Sequence, residues 1–524
     1  MQRRRFIKGV AGAACAASGV TSCNRAASMT GSILGQAHQI GHQIRDRKSA
    51  WPAGLQRERT EVVIAGAGMS GLIAALRLHQ AGIQKITLLD LEGYAGGHSS
   101  SGKNAVSPYP WGAHYVPLPG DDLVEVIRLF EELGIITGRD AASRPIFDDR
   151  YLCNDPGERL YIQGVWQEGL APTLGADKKE LDELHAFAER MHDLKGRRGN
   201  DGRRLFSIPV DESSTDQEWC ELDHLSMHEW MIKEGYQSPR LHWLVDYSCR
   251  DDYGAGSREV SAWAGLHYFA SRDNEEVLTW PEGNGWLVKQ ILKKMPGITV
   301  RHALVHGMSN TGSGVEVSSI DLASGEPFSL HAKATICAMP RFVAQRLIQG
   351  LPLLTGLQYS PWVVANLTWN APPPAAWDNV LYNHRSLGYV VATHQALNQP
   401  FPKQSVLTWY QPRDHLAPAL ARQEMLDYTW EKWRDEILND MRPAHPDIDE
   451  LVTQLDVMLW GHGMIRPVPG FITGKERASM QHPHGKIVFA HTDMSGISIF
   501  EEACARGSSA ASTILSLLHH SQSG

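Results

Sequence analysis

The chain has 524 residues, of which 42% are hydrophobic and 21% charged, a composition typical of a folded protein with more than one lobe. Its net charge of −8 argues against a nucleic-acid partner, because phosphate contacts need a basic face. The seven cysteines are scattered and include no C-x-x-C pair, which excludes a zinc ribbon and a dense disulfide scaffold, and no metal site is expected.

The first 23 residues have the order of an export signal. Arg3 and Arg4 are followed by one further residue and then by Phe-Ile-Lys. A weakly apolar stretch rich in Ala and Gly comes next. This order is similar to a twin-arginine signal, and the alternative is a basic arm with no signal function. As a signal, it predicts recognition by the twin-arginine export machinery and a location in the periplasm or cell envelope.

The next segment holds a candidate lipid anchor. Residues 20–23 read Val-Thr-Ser-Cys and resemble a lipobox, in which Cys23 would be lipidated and attach the protein to a membrane. The alternative is an unlipidated linker cysteine. Residues 24–57 are polar and contain a Pro-Ala-Gly break, so we predict a tether with one short helix.

A dinucleotide-binding pattern begins at residue 61. A β-branched strand, residues 61–65, runs into Gly-Ala-Gly-Met-Ser-Gly, a helical pattern follows, and a second strand at 85–90 ends in a carboxylate. In such a βαβ unit the glycines allow a tight turn and close approach to a pyrophosphate, the helix N-terminus holds the phosphates, and the acid accepts hydrogen bonds from ribose hydroxyls. The predicted binding residues are Gly66, Gly68, Ser70, Gly71 and Asp90.

The segments after the second strand favour FAD. Residues 96–101, Gly-Gly-His-Ser-Ser-Ser, resemble the Gly-Gly-Arg-x-x-Ser/Thr segment of the flavin-dependent amine oxidase superfamily, which includes monoamine and polyamine oxidases, protoporphyrinogen oxidase and phytoene desaturases. Residues 110–115 are similar to the family's Asp-x-Gly-Gly-x-Tyr/Trp segment beside the isoalloxazine, although His98 replaces an arginine and Pro110 an aspartate. The resemblance implies cofactor contacts from Gly96, Gly97, His98, Gly112 and Ala113.

The resemblance resumes later in the chain. Residues 486–493 are similar to the family strand that delivers an acid to FAD, and residues 500–511 to the helix whose N-terminus points at the flavin. Residues 297–305 resemble the strand whose valine backbone contacts adenine. Glu502 stands where the family has glycine. The implied cofactor residues are Val305, Asp493, Ile499 and Phe500.

The resemblance also implies the fold and the mode of cofactor attachment. We expect an α/β protein with a Rossmann-like FAD-binding domain and an interleaved α+β substrate domain. Some family members hold FAD covalently through a late cysteine, and the corresponding stretch, residues 460–470, has none, so we expect non-covalent FAD. The expected FAD-binding segments are 58–115, 281–345 and 481–524, and the substrate-domain segments are 116–280 and 346–480.

The leading hypothesis is an exported FAD-dependent oxidoreductase that transfers hydride from a small amine or amino-acid-like substrate to flavin N5. His114 is a candidate for deprotonating the amine, and His462 for a hydrogen-bonding role in the cavity wall. Amine oxidases usually carry a lysine near flavin N5, and Ala365 falls at the expected position, which puts rapid reaction with oxygen in doubt.

Two alternatives remain open. An aromatic lining with few acidic anchors would favour an FAD-dependent desaturase or isomerase of a lipid or polyene. The absent lysine and the altered motif residues His98 and Pro110 would favour a flavin-carrying envelope binding or scaffold protein without catalysis.

Overall fold

The computed structural model describes residues 29–35, 37–52, 56–274, 276–397 and 401–520. The predicted export signal and lipobox, with Arg3, Arg4 and Cys23, lie outside these residues. Within the described part of the chain, every helix is too short or too polar to cross a membrane.

The described chain is built from strands and helices, and fourteen of its strands form two large sheets. The strands are β1 Ile33–Gly35, β2 Gln56–Ala65, β3 Ile86–Asp90, β4 Ser101–Lys103, β5 Pro108–Pro110, β6 Tyr115–Pro117, β7 Ile136–Arg139, β8 Pro145–Phe147, β9 Glu158–Ile162, β10 Val165–Glu168, β11 Val277–Thr279, β12 Val300–Asn310, β13 Val315–Asp321, β14 Pro327–Cys337, β15 Tyr359–Trp369, β16 Asp378–Leu381, β17 Tyr389–Val391, β18 Ser405–Pro412, β19 Val452–Ile465 and β20 Ile487–Phe489. The helices are α1 His38–Gly41, α2 Gln43–Asp46, α3 Met69–Gln80, α4 Val124–Leu133, α5 Lys178–Leu194, α6 Gln217–Cys220, α7 Met227–Lys233, α8 Pro239–Tyr253, α9 Ala262–Ala270, α10 Gly285–Lys293, α11 Arg341–Leu347, α12 Pro418–Asp427, α13 Trp430–Met441, α14 Ile448–Leu451, α15 Lys475–Ser479 and α16 Phe500–His520.

The first sheet has six strands in the order β13-β12-β3-β2-β14-β20. Strand β2 pairs in parallel with both β3 and β14, and its residues Val62–Ala65 are fully buried. A continuous apolar run is what a parallel strand needs when both of its faces are covered. Helices α3 and α16 pack together in the core on one face of this sheet. The predicted Rossmann-like arrangement is therefore confirmed.

The second sheet has eight strands in the order β1-β19-β15-β18-β17-β16-β9-β10. Its central strand β15 is buried along its whole length and pairs antiparallel with β18 and β19. Alternate residues of β15 point to opposite faces of the sheet. Leu367 packs into an apolar cluster with Trp433 of α13 on one face, whereas Trp362 and Val364 face a cavity on the other.

Within the predicted tether, residues 24–57, the structure shows the short helices α1 and α2 and also a strand, β1, that was not predicted. Strand β1 extends the second sheet by pairing in parallel with Val457–Leu459 of β19. The N–H and the hydroxyl of Ser32 both donate to Oδ1 of Asp456, at 3.0 and 2.9 Å. Strand β1 is only three residues long, Ile-Leu-Gly, which is too short to show a strand pattern, so its pairing could not be predicted from the sequence.

Candidate cofactor and substrate site

A cavity of about 520 Å³ lies between the two sheets and collects residues from both ends and the middle of the chain. Its volume is in the range of cofactor and ligand sites. The predicted cofactor residues Gly71 and Asp493 are not among the residues that line it. The sequence-predicted residues that line it are Gly66, Gly68, Ser70, Asp90, Gly96, Gly97, His98, Gly112, Ala113, His114, Val305, His462, Ile499 and Phe500.

The loop between β2 and α3 is shaped to receive a diphosphate. Gly66 has φ +107°, and a Cβ there would lie 2.7 Å from the carbonyl oxygen of Ala338. A Cβ on Gly68 would meet no protein atom within 4 Å, so the space above the loop is open. Helix α3 begins at Met69 with no side-chain cap, which leaves its first N–H groups for a ligand. The site therefore fits the diphosphate of a dinucleotide.

Asp90 joins the loop after β2 to the loop after β3. Its Oδ2 accepts a 2.6 Å hydrogen bond from the Ala67 N–H, and its Oδ1 accepts a 2.8 Å bond from the Glu92 N–H. Burial raises the pKa of Asp90 to about 6, although both N–H groups act in the opposite direction. The carboxylate also lines the cavity, where its remaining lone pairs can accept from ribose hydroxyls.

His98 brings no fixed charge to the diphosphate region. Its ring packs edge-on against Trp460, with 4.7 Å between centroids. Burial lowers the pKa of His98 to about 4, so the ring is neutral at pH 7. Among the described residues that line the cavity, Arg272 is the one lysine or arginine. Anion binding at the glycine loop thus depends on backbone N–H groups.

Asp493 acts behind the cavity wall. Its Oδ2 accepts a 2.7 Å bond from the Arg341 N–H at the start of α11 and a 2.5 Å bond from the Tyr359 hydroxyl. Burial opposes its ionisation, but His491 and these donors keep the pKa of Asp493 below its usual value. The carboxylate therefore fixes the junction of α11 and β15 beneath the predicted cofactor site.

His114 belongs to an aromatic box on the side of the cavity formed by the second sheet. Its ring centroid lies 5.0 Å from that of Tyr410, 5.3 Å from Tyr115 and 5.8 Å from Trp377. Its Nδ1 lies 3.0 Å from the Gly112 carbonyl oxygen, which places the proton on Nδ1. Burial lowers the pKa of His114 to about 4, so it is a neutral ring and a weak base at pH 7.

His462 lies with the cofactor residues and not in the aromatic box. Its ring stacks on Phe342 at 4.3 Å and meets Tyr359, the hydrogen-bond partner of Asp493, at 5.9 Å. Burial, assisted by Arg422, lowers the pKa of His462 to about 3. A neutral wall residue is the role that these contacts support.

An anionic cluster beside the aromatic box was not predicted from the sequence. Nε of Arg272 lies 3.2 Å from Oε1 of Glu501 at the start of α16, and its guanidinium lies 3.6 Å from Oδ2 of Asp252. The neighbouring Asp251 lies 3.5 Å from the Tyr115 hydroxyl, which donates to it. Two carboxyl groups thus pair with one guanidinium, and Asp251 adds a third acid next to them, so the cluster has excess negative charge when Asp251 is ionised.

Asp251 is the member of this cluster best placed to meet a ligand. It lines the cavity and is half-buried, and its hydrogen bond comes from Tyr115. Burial, together with Asp252, raises the pKa of Asp251 to about 7. The preceding residue, Arg250, pairs with Asp414 at 2.7 Å.

The position assigned to the family lysine needs correction. Ala365 faces the apolar cluster with Trp409 on the far side of β15. The residues of β15 that face the cavity are Trp362 and Val364. The predicted position is therefore on the wrong face of the strand, although neither cavity-facing residue is a lysine.

Comparison with known proteins agrees with this architecture. A family model of an NAD(P)-binding Rossmann-like domain matches residues 64–133. A search of curated proteins finds no match.

Solved structures match over nearly the whole described chain. Wild-type putrescine oxidase bound to putrescine has a TM-score of 0.63 at 16% identity, covering 88% of this chain and 100% of the oxidase. Cyclohexylamine oxidase from Brevibacterium oxydans has a TM-score of 0.61 at 18% identity, covering 88% and 99%. A CLA-producing fatty acid isomerase from P. acnes has a TM-score of 0.61 at 14% identity, covering 87% and 98%. The chain thus has the fold that these oxidases and this isomerase share, built on a Rossmann-like dinucleotide-binding domain.

Proposed function

We propose that this protein is an FAD-dependent oxidoreductase that oxidises an amine. The proposal depends on one observation, which is that two features line the same cavity. One is the loop proposed to bind the diphosphate, and the other is Asp251 within an anionic cluster on the opposite side. Structural neighbours that oxidise putrescine and cyclohexylamine support the same chemistry.

The cofactor is proposed to be FAD, held without a covalent bond. The N–H groups at the start of α3 would bind its diphosphate, and Asp90 its ribose. Ile499 and Phe500, just before and at the start of α16, would face the ring. None of the described cavity-lining residues is a cysteine, which supports non-covalent binding.

FAD, when bound, supplies an acceptor for the hydride of a C–H bond next to nitrogen. The carboxylate of Asp251 would hold the substrate ammonium, and the excess negative charge of the cluster would favour a cation over a carboxylate or phosphate ligand. Tyr115 and Tyr410 add aromatic faces on the same side, and such faces attract cations. Trp362 and Val364 complete an apolar wall that excludes water.

The test is an anaerobic titration of the FAD-loaded protein with monoamines and diamines. The absorbance of the visible flavin band is monitored during the titration. Bleaching by an amine, with an imine or aldehyde product, is expected. Asp251→Asn should lower kcat/KM for that amine by about 100-fold, since losing one partner of a buried charge pair costs a few kcal/mol. The control is Asp149→Asn, because Asp149 is exposed.

Two outcomes would overturn the amine assignment. A flavin that no amine bleaches, in a protein that introduces or moves a C=C bond in a lipid or polyene, would support a desaturase or isomerase. A bound flavin that neither substrate class reduces would support a binding or scaffold protein.

We also infer that the protein is exported to the periplasm or cell envelope by the twin-arginine machinery. The support is the sequence pattern around Arg3 and Arg4. Replacing both arginines with lysine should leave the protein in the cytoplasm on cell fractionation. Cys23→Ser should release the exported protein from the membrane fraction if Cys23 is lipidated, and should leave its distribution unchanged if it is a linker residue.

A further inference from the structure

An N-terminal segment that no cofactor motif includes forms part of the cavity wall. Residues 37–46, named the strap from here on, contain α1 and α2 and follow β1. Gly41, His42 and Ile44 line the same cavity as the glycine loop. The strap is thus part of the candidate cofactor site.

The strap is attached to both halves of the molecule. On its N-terminal side, β1 is bound to β19 of the second sheet. At its start, the Ala37 N–H donates a 2.6 Å hydrogen bond to Oε1 of Glu92 in the loop after β3. On its C-terminal side, Trp51 stacks on His306 of β12 at 4.6 Å. These attachments carry the segment from one sheet to the other across the cavity edge.

The contacts of the strap lie at the dinucleotide end of the cavity. A Cβ on Gly41 would lie 3.3 Å from Cδ2 of Leu91, the residue that follows Asp90. Ile44 packs against the apolar cluster that contains Val305. Asp90 and Val305 are the residues expected to hold the ribose and adenine, so the strap covers the adenosine half of the site.

We propose that the strap closes over the adenosine diphosphate half of FAD and retains it. The inference rests on the proposed cofactor but not on the proposed substrate. The physical need for such a closure follows from the charges: His98 is neutral at pH 7, and Arg272 pairs with Glu501 and Asp252. With the diphosphate bound by N–H groups alone, enclosure by the strap supplies the retention that a fixed cation supplies elsewhere.

The position of the strap in the chain also agrees with a role in retaining FAD. It begins 14 residues after Cys23 and so lies downstream of the candidate export signal. A protein that loads FAD in the cytoplasm and then leaves it has no later supply of the cofactor. Such a protein needs a site from which FAD dissociates slowly.

The experiment compares two full-length, FAD-loaded variants that each add one carboxylate to α2. Ile44→Glu places the charge against the apolar cluster, whereas Gln43→Glu places it on the neighbouring exposed position. FAD release after dilution is followed by the gain in flavin fluorescence. We expect release about tenfold faster from Ile44→Glu than from the wild type, and an unchanged rate for Gln43→Glu.

A cross-linked variant tests the strap in the opposite direction. In the double variant Gly41→Cys, Leu91→Cys, a disulfide between the two positions should hold the strap closed. Release from the oxidised variant is expected to be slower than from the same protein after reduction. Equal rates in both states, or a wild-type rate for Ile44→Glu in protein whose melting temperature without FAD is unchanged, would overturn the proposal.

These readouts separate the strap from the proposed amine oxidation. Release of FAD is measured without any substrate, so a failure to oxidise amines would leave the strap result intact. A protein that oxidises amines normally but releases FAD at the same rate from all variants would contradict the strap alone.

Discussion

The Ala67 N–H and the Asp90 carboxylate are joined by a 2.6 Å hydrogen bond that links the glycine loop to the end of β3. This bond means that Asp90 orients the loop that faces the diphosphate, in addition to offering lone pairs to a ribose. The single carboxylate therefore couples the two halves of the dinucleotide site.

Asp90→Ala should weaken FAD binding by about 10- to 100-fold, because hydrogen bonds to a charged group contribute roughly 1.5–3 kcal/mol. Asp90→Asn should fall between this variant and the wild type, since its amide oxygen can still accept from the Ala67 N–H. Equilibrium titration with FAD measures the effect. The exposed Asp149→Ala should bind like the wild type, and equal affinity of Asp90→Ala and Asp149→Ala would contradict the role of Asp90.

The dinucleotide site could be predicted from the sequence because its parts are local. A strand, a glycine loop, a helix and a terminal acid follow one another within 30 residues, from Glu61 to Asp90, and each part constrains the next. The strand and helix formed where the pattern placed them, as β2 and α3.

The substrate side could not be predicted in the same way. Asp251, Arg272 and Glu501 come from three distant parts of the chain, and their contacts depend on the packing of α8 and α16. The only sign of this cluster in the sequence was the pair of adjacent acids, Asp251 and Asp252, near the C-terminal end of α8. Likewise, the polar composition of residues 24–57 did not indicate that β1 pairs with β19.

A quaternary ammonium ion should bind the cavity more tightly as the pH rises through about 7, because Asp251 ionises there. Tetramethylammonium is the suitable probe, since it carries the same charge at every pH. Its inhibition constant for amine oxidation, measured from pH 6 to about 8.5, is expected to fall.

The control for this prediction is Asp251→Asn, in which the inhibition constant should be weak and independent of pH. His114 is neutral throughout this range and should not contribute a second transition. An inhibition constant that stays flat in the wild type would remove Asp251 as the cation-binding group.

The flavin-free protein should gain stability at high pH when Asp251 is replaced by asparagine. An aspartate in the unfolded chain loses its proton near pH 4, whereas burial raises the folded pKa of Asp251 to about 7. Between these two pKa values Asp251 carries a proton in the folded state but not in the unfolded state. The contribution of Asp251 to stability therefore falls as the pH rises. The melting-temperature difference between Asp251→Asn and the wild type should therefore grow from pH 4 to pH 8, and a constant difference would show that the raised pKa is absent.

Glu502, which replaces a family glycine, should be a structural residue. It is fully buried and accepts a 2.6 Å hydrogen bond from the Val210 N–H and another from the Ser495 hydroxyl. Glu502→Ala would leave the Val210 N–H buried without this partner, at a cost of about 2 kcal/mol. Denaturant unfolding is expected to show this loss, while the exposed Glu234→Ala should unfold like the wild type. Wild-type stability of Glu502→Ala would contradict the assignment.

Reduced flavin in this protein should react slowly with oxygen. The cavity face of β15 offers Trp362 and Val364, and the one described lysine or arginine in the lining, Arg272, is paired with Glu501 and Asp252. No free fixed cation therefore stands ready in the described lining to stabilise the negative charge that develops on oxygen. Stopped-flow mixing of the reduced protein with aerated buffer should give a reoxidation step slower than flavin reduction by the best amine, whereas an artificial electron acceptor should restore rapid turnover. Reoxidation by oxygen that outpaces reduction would show that the protein is an oxidase despite the missing lysine.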